Sequence, residues 1–366
     1  MRILVSGMLA GDPHQGGATW AVLQYVLGLR RLGHDVWVVE PVHELAPVSA
    51  RYFADVVRTF QLEGRAALLD PSGQTVGVER ATLVEAARGA DALINVAGML
   101  RDPQLTDPVP ARVYLDLDPG FTQHWAAEGI DMRFDGHTHF FTVGLKIGSD
   151  TCTVPTCGRE WLHTVPPTVL ERWPVAGNIR FDGFTTVGNW RSYGTLHVDG
   201  VRYGQRAHSV RALIDLPQRT RDLVMPALAI DPAETDDLRA LAANGWRLLS
   251  AAQLAGTPAR YRDFVQSSTA ELGIAKEGYV VSRCGWFSDR SACYLASGRP
   301  VLLQDTGFGV HLPTGAGLLS YTGVDEAAAG IEAIRGEYKR HRRIARELAV
   351  DLLDSDKVLG WMLACL

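Results

Sequence analysis

The chain has few cysteines and no long apolar segment. Its five cysteines, at positions 152, 157, 284, 293 and 365, form an odd and scattered set. That set fits reduced thiols better than a disulfide framework. No apolar run is long enough to span a bilayer, and Met1 to Gly7 lacks the apolar core and cleavage site of a signal peptide. We therefore predict a cytoplasmic protein with no membrane partner.

Positive charge is not in excess either, because the formal net charge is -5. This balance argues against a nucleic-acid partner, although it leaves room for a local basic pocket. The first glycine-containing loop, Gly11 to Gly17, has neither the Gly-x-Gly-x-x-Gly pattern of dinucleotide binding nor the Gly-Lys-Ser/Thr ending of a Walker loop. An NAD-dependent dehydrogenase is therefore disfavoured.

The composition predicts a packed protein of two domains, with 366 residues, 46% hydrophobic and 21% charged. Arg2 to Gly7, Thr19 to Leu32 and Asp35 to Glu40 read as a β-α-β unit, which implies a parallel sheet. A second alternation begins near Phe184. We predict an α/β fold of two Rossmann-like, doubly wound domains that face a cleft. The predicted domains are residues 1–178 and 179–350, with a helix at 351–366 that returns to the first domain.

Four finer expectations concern the second half and the segment that leads to it. Residues 150–178 are rich in Pro, Thr and Trp and are predicted to be an irregular connection. Trp246 to Leu249 and Tyr279 to Ser282 are predicted strands, and Pro258 to Ala275 is a predicted helix.

The most informative segment runs from Lys276 to Gly309 and reads as strand, glycine turn, helix, strand and loop. It contains Arg283-Cys284-Gly285-Trp286-Phe287-Ser288 and, further on, Gly298-Arg299-Pro300. These residues resemble the donor-binding signature of glycosyltransferases with two Rossmann domains, the GT-B fold. Arg283 and Phe287 replace the His and Asn of the best-known signature, and the ribose-binding Glu has no counterpart. The wider pattern resembles a bacterial group of nucleotide-sugar-dependent glycosyltransferases.

The resemblance implies a metal-independent glycosyltransferase of the hexosyl type. It would move a sugar from a nucleotide diphosphate sugar, a co-substrate rather than a cofactor, to a hydroxyl-bearing acceptor such as a bacterial natural product. The implied donor-binding residues are Gly188, Asn189, Lys276, Arg283, Gly285, Trp286, Ser288, Asp289, Arg290, Asp305, Thr306 and Gly307. The oligomeric state stays open.

Several of these donor residues also have a purely structural interpretation. Ser288 could cap a helix, and Arg290 could pair with Asp289 or Glu271 instead of a phosphate. Asp305 and Thr306 could shape the turn before Gly307. Tyr279 and Trp286 could stack on a base, although a Trp beside a strand more often packs in the core.

The catalytic base is expected in the first domain. The resemblance implies His14, in the loop after the first strand, although an exposed loop histidine is the simpler alternative. Asp116 and Asp118 end a predicted strand, so one of them could orient His14 as a dyad. Asp118 could instead cap a turn. Gly16 and Gly17 would open the loop for acceptor or diphosphate.

Metal binding is the weaker alternative. His137 and His139 lie two residues apart and could form a cluster with Asp135. A buried, hydrogen-bonded histidine is the more common outcome. We predict no metal site. Two further functions remain open: a nucleotide-sugar epimerase of the same fold and a non-catalytic nucleotide-sugar-binding protein.

Overall fold

The computed structural model describes residues 1–366 and contains one parallel sheet in each half of the chain. The first sheet has eight strands in the order β4-β3-β2-β1-β5-β6-β7-β8, parallel except for the pair β3–β4. Its strands are β1 Arg2–Ser6, β2 Asp35–Pro41, β3 Ala66–Leu69, β4 Thr75–Gly77, β5 Ala92–Val96, β6 Ala111–Asp116, β7 His139–Thr142 and β8 Trp161–His163. Helices α1 Gly16–Arg31, α2 Pro47–Phe60, α3 Arg80–Arg88, α4 Pro103–Thr106 and α5 Phe121–Ala127 connect them.

The second sheet is fully parallel, with five strands in the order β12-β9-β13-β14-β15. Its strands are β9 Phe181–Asn189, β12 Val224–Ala229, β13 Ser268–Gly273, β14 Val301–Gln304 and β15 Leu318–Tyr321, with a separate hairpin of β10 Leu196–Val198 and β11 Val201–Tyr203. The helices are α6 Arg206–Arg211, α7 Leu216–Arg219, α8 Thr235–Ala243, α9 Ala251–Ala255, α10 Pro258–Ser267, α11 Glu277–Ser282, α12 Asp289–Ala296, α13 Val324–Gly336, α14 Tyr338–Leu348 and α15 Ser355–Ala364.

The predicted fold class, two doubly wound α/β domains, is confirmed. The strands of the first sheet lie within residues 2–163, and those of the second lie within 181–321. Helix α15 lies against α1, where a Cβ on Gly28 would come within 2.5 Å of Leu359 Cδ1. The domain limits at residues 178 and 350 stay a prediction. No helix combines the length and the apolar character that crossing a bilayer requires.

Four local predictions were wrong. Tyr279 to Ser282 belongs to helix α11, and the predicted helix from Pro258 stops at Ser267, where the central strand β13 begins. Trp246 to Leu249 is not a strand, although Arg247 N and Leu249 N donate to carbonyls of β12 at 3.0 and 2.9 Å. The connection at 150–178 contributes the edge strand β8. Strand β13 was not predicted because its buried Ser268, Thr269 and Glu271 break the apolar pattern of a central strand.

Candidate functional site

A cavity of about 290 Å³ lies between the two halves of the chain. It opens where the loop after β1 meets the carboxyl ends of β9 and β12 and the start of α12. This is the edge at which doubly wound sheets bind their ligands. Its walls include His14, Gln15 and Gly17 from the first half and Gly188, Asn189 and Arg290 from the second.

The first wall is the N-terminus of α1. Gln15 precedes this helix and supplies no side-chain cap, so its first-turn N–H groups lack a side-chain acceptor. A Cβ on Gly16 would lie 2.3 Å from the carbonyl oxygen of Thr257, and one on Gly17 would lie 2.9 Å from the Tyr261 ring. The two glycines therefore let the helix end approach the second half closely. A helix end with free N–H groups favours an anion in front of it.

Replacing Gly16 with alanine is expected to lower the free energy of unfolding by about 1–3 kcal/mol, as overpacking typically does. The new methyl group would meet backbone atoms of Thr257 and the carbonyl oxygen of Ala255, which cannot turn aside. Urea titration measures the loss. Gly177→Ala is the matched control, because nothing lies within 4 Å of its Cβ position and its φ is not positive. Equal stability of the two variants would contradict this account of the contact.

The second wall is the start of α12, where Ser288 Oγ accepts a hydrogen bond from Arg290 N at 3.2 Å. Ser288 is thus a helix cap, as the structural alternative held. Asp289 lines the cavity beside Arg290, and burial raises the pKa of its carboxyl group against the opposing effect of the Arg290 charge. The cap satisfies one N–H group, and the helix dipole directs partial positive charge toward the cavity.

Arg290 is the buried cation of this wall. Its Nε donates to Glu271 Oε1, and its Nη1 donates to the carbonyl oxygen of Val187 at 3.1 Å. Its Nη2 is buried without a hydrogen-bond partner, and so is Glu271 Oε2. Burial acts to lower the pKa of Arg290, but the charge and hydrogen bond of Glu271 outweigh it, so the net pKa is raised. Arg290 therefore pairs with Glu271, as the alternative proposed, and its Nη2 still has no acceptor.

A second buried cation, Arg206, was missed by the sequence analysis. Its Nη1 donates to the carbonyl oxygen of Asn189 at 2.6 Å, and its Nε donates to that of Ile274 at 2.9 Å. Burial, followed by the charge of Arg290, lowers its pKa to about 10. A Cβ on Gly188 would lie 2.6 Å from Arg206 Nη1. Gly188 therefore leaves room for the guanidinium group that packs on it. The only sequence signal for Arg206 was an arginine that opens the short helix α6.

The segment at 283–286 does not line this cavity, so its predicted phosphate contacts stay a prediction. Arg283 has a left-handed backbone with φ 47° and an exposed side chain 3.4 Å from Asp305 Oδ2. Gly285 has φ 80°, and its carbonyl oxygen accepts from Leu145 N in the first half at 3.3 Å. A Cβ on Gly285 would lie 2.9 Å from Lys146 N. The glycine thus serves a close contact between the halves.

The residues around this segment make the structural contacts that were named as alternatives to donor binding. Trp286 is buried and stacks on Tyr279, with ring centroids 4.5 Å apart. Asp305 Oδ1 accepts from Gly307 N at 2.8 Å, and Thr306 Oγ donates to the carbonyl oxygen of Trp286 at 2.6 Å. Gly307 has φ 93°. These are turn and core contacts away from the cavity walls.

Asp116 is a structural carboxylate. It is buried, and its oxygens accept from Thr122 Oγ, Gln123 Nε2 and Thr142 Oγ at 2.8 Å each. Burial raises the pKa of its carboxyl group, against the lowering effect of these hydrogen bonds. Asp116 joins the ends of β6 and β7 to the start of α5, and none of its bonds reaches His14.

Asp118 and Lys276 bind each other across the two halves. Lys276 Nζ lies 3.2 Å from both carboxylate oxygens of Asp118. The hydroxyl groups of Tyr193 and Tyr279 donate to the same carboxylate. Burial lowers the pKa of Lys276, and the charge of Asp118 offsets part of that effect. The predicted catalytic Asp118 and the predicted donor ligand Lys276 thus form one cluster, called here the Asp118 cluster, with the two tyrosines.

The predicted His14–Asp dyad is therefore absent. His14 is exposed at the cavity with φ 66°, and its ring meets the edge of Tyr52 with centroids 5.4 Å apart. The carboxylate that holds this loop is Glu40, which accepts from Ala10 N and Gly11 N at 2.7 Å each. Burial raises the pKa of Glu40 to about 7. The sequence analysis missed Glu40 because it lies inside the apolar strand β2.

The candidate metal ligands have separate partners. His137 lies 3.0 Å from Asn95 Nδ2, His139 contacts Thr138, and Asp135 pairs with Arg159. Cys152 and Cys157 are free thiols, as are the other three cysteines. No group of three His, Cys, Asp or Glu side chains is placed to hold a metal ion.

No protein-family model and no curated protein matches the chain by sequence. Solved structures do match its fold. An alpha-glucosyltransferase in complex with UDP aligns over 100% of this chain and 99% of its own, with a TM-score of 0.63 and 11% identity. Sucrose-phosphate synthase from Thermosynechococcus elongatus aligns over 100% and 98%, with a TM-score of 0.58 and 13% identity. Anabaena HepE in complex with UDP and glucose aligns over 100% of both chains, with a TM-score of 0.59 and 11% identity.

The prediction of no nucleic-acid partner was wrong. The same alpha-glucosyltransferase is solved with UDP-glucose and DNA, and in that form it covers 100% of this chain with a TM-score of 0.64 and 11% identity. A protein of this fold can thus act beside DNA, and the net charge of the whole chain was not a valid ground for exclusion. The chain has the two-domain GT-B fold of these glycosyltransferases, as its sequence predicted.

Proposed function

We propose that the protein is a glycosyltransferase that binds a nucleotide diphosphate sugar in the cavity between its halves. The single observation that carries this proposal is the buried Nη2 of Arg290, which has no partner and belongs to a cavity-lining side chain. Two helix N-termini, of α1 and α12, end at the same cavity. A diphosphate would supply oxygen acceptors for Arg290 Nη2 and for those first-turn N–H groups of the two helices that have no side-chain acceptor.

Two buried guanidinium groups lie at or beside the cavity. Arg290 lines it together with Asp289, and Arg206 packs against Gly188 in its wall. The two guanidinium groups would stabilise the negative charge that develops as the diphosphate leaves. On this ground we propose transfer without a metal ion.

The transfer itself needs an acceptor hydroxyl group beside the anomeric carbon. The hydroxyl oxygen would form the new bond to that carbon as the bond to the diphosphate breaks. His14, exposed at the cavity without a hydrogen-bond partner, is the residue we assign to accept the hydroxyl proton. Because structural neighbours were solved with UDP, with UDP-glucose and with UDP plus glucose, a UDP-hexose is the first donor to test. A natural-product acceptor is one class to test with it.

UDP is expected to raise the melting temperature of the protein, since a ligand that binds only the folded form stabilises it. Arg290→Lys keeps a cation beside Glu271 but removes the second donor of the guanidinium group. We expect it to weaken UDP binding by roughly 10- to 100-fold, the loss of one charge-assisted hydrogen-bond set. Arg88→Lys, on the exposed face of α3, is the control. If no nucleoside diphosphate or nucleotide sugar shifts the melting temperature, the proposal fails.

A further inference from the structure

A second and larger cavity, of about 730 Å³, lies in the first half at the carboxyl ends of β2, β3 and β5. Strands β2 and β5 flank β1 in the sheet. Val42 lines this cavity, and a Cβ on Gly11 would come within 3.0 Å of Val42 Cγ1. The loop that carries Gly11 and His14 therefore runs between this cavity and the one that separates the halves.

Three arginines line this second cavity, against two aspartates, Asp70 and Asp102. Arg80 is paired with Asp102 at 2.5 Å. Arg101 has a single and distant partner, Asp131 at 3.4 Å, and both side chains are exposed. Arg133 makes no side-chain hydrogen bond or salt bridge. Exposed ion pairs of this kind contribute little, so Arg101 can turn to a ligand at small cost, and Arg133 is free to do so.

Arg101 and Arg133 also stand on the wall of a neighbouring cavity of about 440 Å³, which shares Leu100 and Pro103 with the first. An anion between the two guanidinium groups would therefore be reached from both sides. Partial burial lowers the pKa of Arg133, and the like charge of Arg101 adds to that effect. A bound anion would relieve this repulsion.

The backbone of Arg133 is held in an uncommon conformation. Its φ is 63°, in the left-handed region that a long side chain rarely adopts. Asp131 Oδ1 accepts from Arg133 N at 2.8 Å, and a Cβ on Gly98 would lie 2.8 Å from Arg133 Cβ. Ala97 and Gly98, directly after β5, are left-handed as well, at φ 51° and 62°. The left-handed backbone of Ala97, Gly98 and Arg133 itself thus places Arg133 beside the point where the strand order reverses, at which such sheets bind ligands.

We propose that this cavity holds the acceptor and that the acceptor carries an anionic group, phosphate or carboxylate, bound by Arg133 and Arg101. The inference rests on the proposed function, because it names the acceptor class of the same reaction. The volume suits a small molecule, and a guanidinium pair gives an anion the planar, two-pronged donors it needs.

The test uses the full chain saturated with UDP, so that a phosphate probe cannot occupy the cavity between the halves. Inorganic phosphate, glucose 6-phosphate and glucuronate are titrated by calorimetry, with glucose as the neutral reference. We expect saturable binding of the charged probes and none of glucose. Arg133→Gln should weaken that binding by at least roughly 10-fold, Arg133→Lys by less, and the control Arg88→Gln not at all. UDP affinity should be equal in all four proteins.

Equal binding of the charged probes to wild type and Arg133→Gln would overturn the inference, as would binding of glucose alone. A short DNA duplex that binds more tightly than glucose 6-phosphate and depends on Arg133 would overturn the small-acceptor class. If UDP itself does not bind, the proposed function fails. The dependence of phosphate binding on Arg133, measured without UDP, then still decides whether the anion site exists.

Discussion

Replacing Asp118 with asparagine is expected to lower the free energy of unfolding by about 3 kcal/mol, near the lower end for a broken buried ion pair. The variant leaves the ammonium group of Lys276 without a counter-charge. The Lys276 side chain is only 12% exposed, whereas that of Asp118 is 29% exposed, so solvent screens part of the loss. Urea titration measures the change.

Two further variants identify the cause. Adding Lys276→Met to Asp118→Asn removes the stranded charge and should restore most of the stability, which gives the coupling energy of the pair. Asp55→Asn, whose exposed partner is Arg58, should change stability by less than about 1 kcal/mol. If Asp118→Asn is as stable as this control, the ammonium group of Lys276 does not need Asp118 as its counter-charge.

The same variant should respond to pH in a defined direction. The pKa of folded Lys276 lies below its ordinary value of 10.5, chiefly because of burial. The cation is therefore disfavoured in the folded state, and this penalty disappears as the pH rises from the folded pKa toward 10.5. Asp118→Asn removes the group that raises this pKa, so the penalty grows at neutral pH. The loss of stability should be larger at about pH 7 than at about pH 10.

The fold could be predicted from local patterns because strands and helices leave their periodicity in the sequence. Arg2 to Gly7 and Thr19 to Leu32 are confirmed within a residue or three as β1 and α1. Helix α11 was mistaken for a strand because Val280 and Val281 are β-branched and Tyr279 is aromatic, all strand-favouring residues. Tertiary contacts overrode that preference, since Tyr279 packs on Trp286 and Phe121.

Site residues could be predicted only where neighbouring residues within one segment indicate a function. Arg290 was found because it opens a helix after a capping serine. Its partner Glu271, 19 residues away, was one of two candidates, and the sequence did not decide between them. Asp118 and Lys276 are 158 residues apart, in different halves of the chain, and no local period encodes their contact. Arg283 and Gly285 are close in sequence to Arg290, yet neither lines the cavity.

Replacing Glu271 with glutamine should have the largest effect on the protein and should act in two opposite directions. Glu271 is fully buried, and the Arg290 side chain is 7% exposed. The glutamine keeps a hydrogen-bond acceptor for Arg290 Nε but removes the charge that compensates the guanidinium group. We expect the free energy of unfolding to fall by about 3–5 kcal/mol. Glu85→Gln, from an exposed pair with Arg88, is the control and should change little.

The same substitution, Glu271→Gln, should raise the affinity for UDP. In the wild-type protein the Glu271 carboxylate partly neutralises the charge of Arg290 and repels a nearby diphosphate. Without that carboxylate, Arg206 and Arg290 keep the nearby charge of Asp289 but lose that of Glu271, and the ligand becomes an added acceptor. We expect Glu271→Gln to bind UDP roughly 10-fold more tightly, which corresponds to about 1.4 kcal/mol. If Arg290 had only a structural role, Glu271→Gln would lower the free energy of unfolding and leave UDP affinity unchanged or weaker. Calorimetry with UDP on Glu271→Gln and Glu85→Gln therefore shows whether Arg290 binds the nucleotide or serves only as a buried salt bridge.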